Sequence, residues 1–261
     1  MEHTIQRIIH ETPYKVHMFV KDMQTNQFIF RERLDEPFSS ASLIKVPILI
    51  AVLDYLDHHN VSIDHVLTIT PKDWVDFSVI SEQQLTSSTI YELLVWMITT
   101  SDNTATNVLI DYIGMDTLNT FFRQIGLTHT KIQRKMMDFE RLARGVDNST
   151  SAQDMAHLFS CIYERSLLTP VFSQLVIDIL CSQRFHECLR RYIVDDVKIA
   201  HKTGGLDTVD HDVGIIYSDQ QDYCIGVFIT EVTQNDSARQ IIGRLSKVVY
   251  DSLVLLKGET R

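Results

Sequence analysis

Patterns of strand-forming residues lie near both ends of the chain. Tyr14–Met23 and Gln27–Arg33 predict two strands around a turn at residues 24–26. Three further segments have the same character, and these are Val197–Lys202, Asp212–Ser218 and Tyr223–Val232. The glycine pair Gly204-Gly205 and the polar stretch Ser218–Asp222 predict turns between them.

The middle of the chain carries apolar residues at helical spacing. A capping box at residues 89–92 predicts a helix that runs to about Thr99. The other helices predicted in this region are Ser42–His58, Thr104–Ile113, Asp116–Gln124, one opening at Ser151, and Thr169–Cys181. A final predicted helix, Ser237–Leu256, has an apolar stripe and is expected to lie against the sheet.

Strands from both ends with helices between them predict an α+β fold that forms one interleaved unit. The two ends supply a five-stranded antiparallel sheet packed with helices, and an all-helical lobe is inserted between them. We expect a single catalytic domain whose sheet lobe is approximately residues 1–41 and 196–261 and whose helical lobe is 42–195. Clefts between such lobes commonly hold active sites.

Composition narrows the classes of function. The 261 residues are 44% hydrophobic and carry a formal charge of −10, which disfavours nucleic acid and anionic membranes as main partners. No apolar run approaches the ~20 residues of a membrane span. The amino-terminal residues show no secretion signal, which predicts a cytoplasmic protein, or a periplasmic or secreted one if a signal has been removed. The four cysteines lack metal-site spacing and are expected to be reduced thiols.

Three short motifs carry candidate chemistry. Ser42 and Lys45 form an S-x-x-K at a predicted helix start, which places hydroxyl and amine one turn apart. A desolvated lysine near other cations can act as the base that a serine nucleophile needs. The helix amino terminus also offers N–H groups to a developing oxyanion.

The other two motifs are an S-D-N at residues 101–103 and a K-T-G at residues 202–204. The first falls between two predicted helices, where Ser101 could relay a proton and Asn103 could hold a substrate carbonyl. The second ends a predicted strand and supplies a cation, a hydroxyl and a glycine that permits close approach. One S-x-x-K alone means little, but the three motifs in this order predict a serine acyl-transfer enzyme.

This set of motifs resembles that of the class A β-lactamases and the related penicillin-binding proteins. Their flanking residues also agree, and the resemblance extends from about Tyr14 to Leu256. It implies that Ser42 is the nucleophile, Lys45 its base partner and Ser101 the proton relay. It implies further roles in binding substrate, the oxyanion or the cleft wall for Asn103, Lys202, Thr203, Gly204, Gly205 and Phe77.

The sequence departs from the family pattern in two places. Alignment on Arg134 puts Met136 where the family has the glutamate that positions the deacylating water, so deacylation is expected to be slow. Asp138 and Glu140 are the candidates for a replacement base. Val213 occupies a position where an arginine often binds the substrate carboxylate, and Arg184, Arg190 and Arg191 are the candidates to replace it.

Three functions remain open from the sequence. The favoured one is hydrolysis of β-lactams through a Ser42 acyl-enzyme. The alternatives are a D-alanyl-D-alanine carboxypeptidase or esterase of the same chemistry, and a penicillin-binding module that acylates without turnover. We expect a monomer that acts on a small β-lactam or D-amino-acid substrate. We expect no metal or cofactor, because metal-ligand and nucleotide-binding motifs are missing from the sequence.

Overall fold

The computed structural model describes residues 1–255. Its strands are β1 (Lys15–Asp22), β2 (Phe28–Glu32), β3 (Phe38–Ser39), β4 (Val66–Thr68), β5 (Ser87–Thr89), β6 (Ser149–Thr150), β7 (Lys198–Leu206), β8 (Val209–Tyr217) and β9 (Tyr223–Thr230). Its α-helices are α1 (Glu2–Glu11), α2 (Lys45–His59), α3 (Val79–Glu82), α4 (Ile90–Thr99), α5 (Asn103–Ile113), α6 (Met115–Gln124), α7 (Phe139–Ala143), α8 (Ala152–Glu164), α9 (Pro170–Cys181) and α10 (Asn235–Tyr250).

The main sheet confirms the predicted five antiparallel strands from the two chain ends. Its order is β2-β1-β9-β8-β7, so β1 from the amino-terminal part pairs with β9 from the carboxyl-terminal part. Among residues 1–255, β7 pairs only with β8 and so forms one edge of this sheet. That edge carries the K-T-G motif.

The predicted turn at Gly204-Gly205 is wrong. Strand β7 continues through both glycines to Leu206, which pairs with Val209 on β8, and residues 207–208 make the turn. A Cβ at Gly204 would lie 3.2 Å from the backbone nitrogens of Ser42 and Leu43. This glycine therefore serves the close approach of strand and nucleophile segment, not a chain reversal.

The predicted helices are confirmed, with bounds that differ by a few residues. At α4, Thr89 and Glu92 form both hydrogen bonds of the capping box. Two differences stand out: Ser42 lies in a 3₁₀ turn, Ala41–Ile44, before α2 begins, and α10 gives way to a π-helical turn, Asp251–Leu255. The predicted last residue of the final helix, Leu256, lies outside the described residues.

Helix α1 is absent from the sequence prediction. Only Ile5 and Ile8 of its ten residues are buried, and the helix packs against α10. A polar helix with so short an apolar stripe is stabilised mainly by its packing against the rest of the fold.

Two hydrophobic cores lie on opposite faces of the main sheet. One joins sheet residues such as Phe19 and Val213 to the helices between the two chain ends, and the other joins Val16 and Ile225 to α1 and α10. Every residue from Val46 to Leu53 in α2 is buried, as expected for a helix that is apolar all round. The burial of this helix places Lys45, its first residue, inside the protein. Because the first core contains residues from both predicted lobes, the boundary between them stays a prediction.

All four cysteines are free thiols, as predicted. Burial raises the pKa of each of them above its usual value. Within residues 1–255, no helix combines the length and apolarity that crossing a bilayer requires.

Candidate active site

Ser42 stands on a strained turn at the start of α2. The preceding residue, Ala41, has φ +44°, which an L-residue rarely adopts. The turn is held because Leu43 N donates to Ser40 O at 2.9 Å and Ser40 N donates to Asn148 O at 2.8 Å. Ser42 is half-buried, and its backbone nitrogen lies beside Gly204 of β7.

Lys45 lies one turn later and is fully buried. Its Nζ contacts Ser101 O at 2.6 Å, Asn103 Oδ1 at 2.9 Å and Ser101 Oγ at 3.1 Å. Burial, reinforced by the charge of Lys202, holds the pKa of this amine well below its usual value, and Asp102 only partly opposes the shift. Both effects favour the neutral form of the Lys45 amine over its ammonium.

The S-D-N turn joins α4 to α5 and brings Ser101 to both lysines. Ser101 has φ +54°, and the buried carboxylate of Asp102 caps α5 by accepting from Ala105 N at 2.8 Å. Its other oxygen accepts from Ile80 N at 3.3 Å. This cap orients the turn, so that Ser101 Oγ lies 3.1 Å from the Nζ atoms of both Lys45 and Lys202.

Strand β7 supplies the remaining motif residues. Lys202 Nζ also donates to Thr203 O at 2.7 Å, and burial lowers the pKa of this lysine to about 7, against an opposing effect of Asp212. Thr203 is half-buried and Gly205 is exposed. The structure thus brings together Ser42, Lys45, Ser101, Asn103, Lys202, Thr203 and Gly204 as the sequence predicts, with Gly205 next along the same strand.

Phe77 lies at the rim of this cluster. Asn103 holds its segment, because Asn103 N donates to Phe77 O at 3.3 Å and Asn103 Nδ2 donates to Asp76 O at 3.1 Å. Phe77 adopts φ +55°, and the residue is 78% exposed. An exposed ring on a strained backbone, tied to a residue that contacts Lys45, suits the wall of a binding cleft.

Met136 faces α5 close to the cluster. Asn107 clamps its backbone, accepting from Met136 N at 2.7 Å and donating to Met136 O at 3.1 Å. Asn107 follows Asn103 by four residues and so lies on the same face of α5, about one 5.4 Å turn away. The backbone of Met136 is therefore held one helical turn from Asn103, whose Oδ1 contacts Lys45 Nζ, and its correspondence to the family's glutamate position stays a prediction.

Polar contacts join the two ends of the segment that contains Met136. The guanidinium of Arg134 is buried and its Nε donates to Asp147 Oδ1 at 2.8 Å, while Ser39 Oγ donates to the other oxygen. Asn148 Oδ1 accepts from the backbone nitrogens of Gln133 and Arg134 at 2.7 and 3.0 Å. These bonds fix both ends of residues 134–148.

The two candidate replacement bases lie in and before the short helix α7. Asp138 caps it, accepting from Arg141 N at 3.0 Å. The Glu140 side chain is 87% exposed and pairs with Arg144 at 3.5 Å. Their role in deacylation stays a prediction.

The three candidate arginines have different surroundings. Arg190 Nη1 donates to Val197 O at 2.8 Å, and Arg191 pairs with Asp236 on α10 at 3.0 Å. Arg184 is exposed, and its backbone nitrogen donates to Thr99 O at 3.2 Å, two residues before Ser101. Val213 is buried opposite Lys202. Of the three arginines, Arg184 is the one whose backbone is bonded to the end of α4, just before the S-D-N turn.

Several residues that shape the site were not singled out in the sequence. Asp102 is one, although its place between Ser101 and Asn103 before a helix is a capping signal. Asn107 and Asp147 are others, and their partners lie 29 and 13 residues away in the chain. Nothing local in the sequence marks contacts of that kind.

Comparisons with known proteins identify the family and the fold of this chain. The model of the beta-lactamase enzyme family matches residues 1–253. Beta-lactamase AER-1 of Aeromonas hydrophila is 29% identical over 250 residues, which cover 92% of this chain and 81% of that protein.

Two solved structures illustrate the likeness of fold. That of TLA-3 extended-spectrum beta-lactamase has a TM-score of 0.91 at 21% identity, covering 97% of this chain and 98% of that one. That of a PBP-A mutant, an acyl-enzyme complex with penicillin G, has a TM-score of 0.87 at 27% identity, covering 96% and 94%.

Proposed function

The chain belongs to the beta-lactamase enzyme family, and from this membership we propose that it is a serine hydrolase that opens the β-lactam ring through an acyl-enzyme on Ser42. The observation that carries the proposal is the meeting of Lys45 Nζ and Lys202 Nζ at Ser101 Oγ, each at 3.1 Å. A hydroxyl between two buried amines of lowered pKa suits proton transfer in both directions.

In the proposed acylation, the neutral amine of Lys45 takes the proton of Ser42 Oγ. The oxygen bonds to the lactam carbonyl carbon, and the backbone N–H groups of Ser42 and Gly205 receive the oxyanion. The ring C–N bond then breaks, and Ser101 gives its proton to the departing nitrogen. The ammonium of Lys45, 3.1 Å from Ser101 Oγ, restores that proton.

Substrate binding uses the opposite walls of the cleft. Lys202 and Thr203 receive the substrate carboxylate, and Asn103 orients the amide that the substrate carries next to its ring. Gly204 keeps β7 close enough to the nucleophile for the substrate to lie along the strand. Phe77 covers the apolar part of the substrate from the rim.

A second candidate function follows from Met136. A thioether cannot take a proton from water, so hydrolysis of the acyl-enzyme lacks a base at this position and is expected to be slower than acylation, by about 10²-fold or more. At the slow extreme the protein is a penicillin-binding module. PBP-A, a neighbour at TM-score 0.87, offers a precedent for a long-lived adduct, because its mutant was captured as an acyl-enzyme with penicillin G.

Time-resolved intact-mass measurement with benzylpenicillin tests the proposal, with Ser42→Ala as the control. We expect an adduct on the wild type alone that clears as the drug is consumed. An adduct that forms and persists would establish the penicillin-binding module. An adduct on Ser42→Ala would refute Ser42 as nucleophile. Intact drug and no adduct would exclude β-lactams, and D-alanyl-D-alanine peptides and esters would then be tested as substrates of the same residues.

A further inference from the structure

The end of strand β7 is held by a side chain from α10. Asn235, the first residue of that helix, donates through Nδ2 to Leu206 O at 2.9 Å and to Asp210 Oδ2 at 2.6 Å. Leu206 is the last residue of β7, and Asp210 is the second residue of β8. One side-chain amide therefore joins both strands of the hairpin to a helix that begins 29 residues after Leu206.

The amide nitrogen of Asn235 is fully used by this contact. Both partners are oxygen acceptors, a carbonyl and a carboxylate, so the atom that faces them is the Nδ2 donor, and each of its two N–H groups has one partner. Asparagine at the start of a helix commonly caps it through the side-chain oxygen. In the described part of the chain, however, α10 receives no side-chain cap. The hydrogen bonds of Asn235 therefore stabilise the hairpin rather than its own helix.

Asp210 carries this contact to Gly205. The two residues are register partners, and a Cβ at Gly205 would lie 3.3 Å from Asp210 Oδ1. Asp210 is 2% exposed, and its Oδ1 also accepts from Arg239 Nε at 3.0 Å. A buried carboxylate with two donors on α10 has a fixed place, and the backbone of Gly205 packs directly against it.

The end of β7 also lies beside the nucleophile. A Cβ at Gly204 would lie 3.2 Å from Ser42 N, so the strand passes close to the turn that carries Ser42. Gly205 follows, and its N–H is one of the two oxyanion donors in the proposed acylation. Among residues 1–255, β8 is the only sheet partner of this edge strand, and the chain turns at residues 207–208. The position of the donor therefore depends on what holds the hairpin end.

The turn of this hairpin has an anchor of its own. Val232 N donates to Thr208 O at 3.0 Å. This bond holds the tip of the hairpin, whereas Asn235 holds the strand that carries Gly205. The two anchors can therefore be separated by substitution of Asn235, which leaves the backbone bond of Thr208 in place.

We propose that Asn235 is a positioning residue for the oxyanion, because its two hydrogen bonds hold the end of β7 where the Gly205 N–H meets the substrate carbonyl oxygen. The proposal rests on the proposed function for the identity of that donor, but the anchoring of Gly205 is testable without a substrate. Oxyanion donors stabilise the transition state most when they are already in place before the reaction. Loss of the amide would free the strand end and misplace the donor.

The test compares Asn235→Ala with a matched variant, Arg239→Met. Each removes one of the two α10 side chains that donate to Asp210, but of the two only Asn235 also contacts Leu206 O. Three quantities are measured. They are the amide order parameters of Gly205 and Leu206 in the free protein by ¹⁵N relaxation, the acylation rate constant at saturating benzylpenicillin, and the infrared ester-carbonyl band of the acyl-enzyme.

We expect Asn235→Ala to lower the order parameters of Gly205 and Leu206 from about 0.85 towards about 0.6. The acylation rate constant should fall about tenfold or more, while the Kd of the noncovalent complex changes by less than about twofold. The ester-carbonyl band should move to higher wavenumber, because the carbonyl oxygen loses hydrogen bonding. In Arg239→Met the order parameters and the band should keep their wild-type values.

Two results would overturn the proposal. One is unchanged order parameters in Asn235→Ala, or equal changes in both variants. The other is an unchanged band and acylation rate in spite of a more mobile Gly205. If the order parameters change as expected but no β-lactam reacts, the proposed function fails and the anchoring of Gly205 by Asn235 stands.

A further variant and a further measurement guard against a simple folding defect. Asn235→Asp keeps the size and shape of the side chain but presents acceptors to Leu206 O and Asp210, so it should loosen Gly205 at least as much as Asn235→Ala. Wild-type order parameters in Asn235→Asp would contradict the proposal. Urea unfolding should show at least as large a loss of stability in Arg239→Met, which leaves a buried carboxylate without its cation. General destabilisation would then loosen Gly205 more in Arg239→Met, the opposite of the expected result.

Discussion

Acidification should destabilise this protein through His211. The side chain lies on β8 with 0% exposure, packed beside Phe38 and Phe228 at ring-centroid distances of 5.1 and 5.8 Å. Its Nε2 lies 2.9 Å from the carbonyl oxygen of Ser39, which can only accept, so Nε2 carries the proton. The other nitrogen, Nδ1, is buried without a hydrogen-bond partner among the described residues.

Protonation would put a charge on a fully buried ring, and the backbone groups of Ser39 and Asp210 offset only part of the lost hydration. Burial accordingly lowers the pKa of His211 to about 4 in the folded protein, from the usual value for histidine of about 6.5. The unfolded chain binds this proton first, so the stabilising effect is complete above pH 6.5 and is lost as the pH falls towards 4. Linkage gives a loss of about 2 kcal/mol in the free energy of unfolding between pH 7.5 and pH 5.

Urea unfolding of the wild type and of His211→Phe at these two pH values measures that loss. Phenylalanine retains an aromatic ring in the cluster but cannot titrate, and it loses the bond to Ser39 at every pH alike. We expect the wild type to lose about 2 kcal/mol more than the variant over this interval. His17 also has a lowered pKa, but it is present in both proteins, and its charge is the last of the causes that act on His211. A difference below about 0.5 kcal/mol would refute the reasoning.

Three further changes, the first paired with a control variant, test the site and its support. Asp147→Asn leaves Arg134 buried without its carboxylate and should lower the free energy of unfolding, measured in urea, by about 3 kcal/mol. Its control, Glu140→Gln, breaks an exposed ion pair and should change that free energy by less than about 0.5 kcal/mol. Met136→Glu should speed clearance of the penicillin adduct in intact-mass time courses by about tenfold or more; unchanged clearance would mean that position 136 does not reach the acyl group. Arg184→Gln should raise KM for benzylpenicillin more than it lowers kcat, and an unchanged KM would exclude its contact with the carboxylate.

Much of the architecture could be predicted because its signals are local. A few adjacent residues are enough to predict an element at the capping box of Thr89, at the cap of Ser151 and in the apolar run of α2. The three motifs are local as well, since each places its residues within one turn or along one strand. The order of the motifs and the family resemblance together predict the cluster of residues that the structure brings together.

The failures have a common physical cause. Gly204 has the local signature of a turn, but its lack of a Cβ serves contact with Ser42, which is 162 residues away in the chain. Helix α1 has too little apolar surface to be predicted alone and forms against α10. In both cases the decisive neighbour is distant in sequence and close in space.

The sequence alone was enough to predict the fold class, most of the elements and the candidate site residues, because propensity, capping and motif spacing act over a few residues. The tertiary structure alone decided the pKa shifts of those residues and the contacts that hold them. Burial of Lys45 and Lys202 together lowers both pKa values, and the clamps of Asn107 on Met136 and of Asn235 on Leu206 join segments that no local pattern connects. Desolvation and long-range hydrogen bonding exist only once the chain is packed, and these effects set the reactivity of the site.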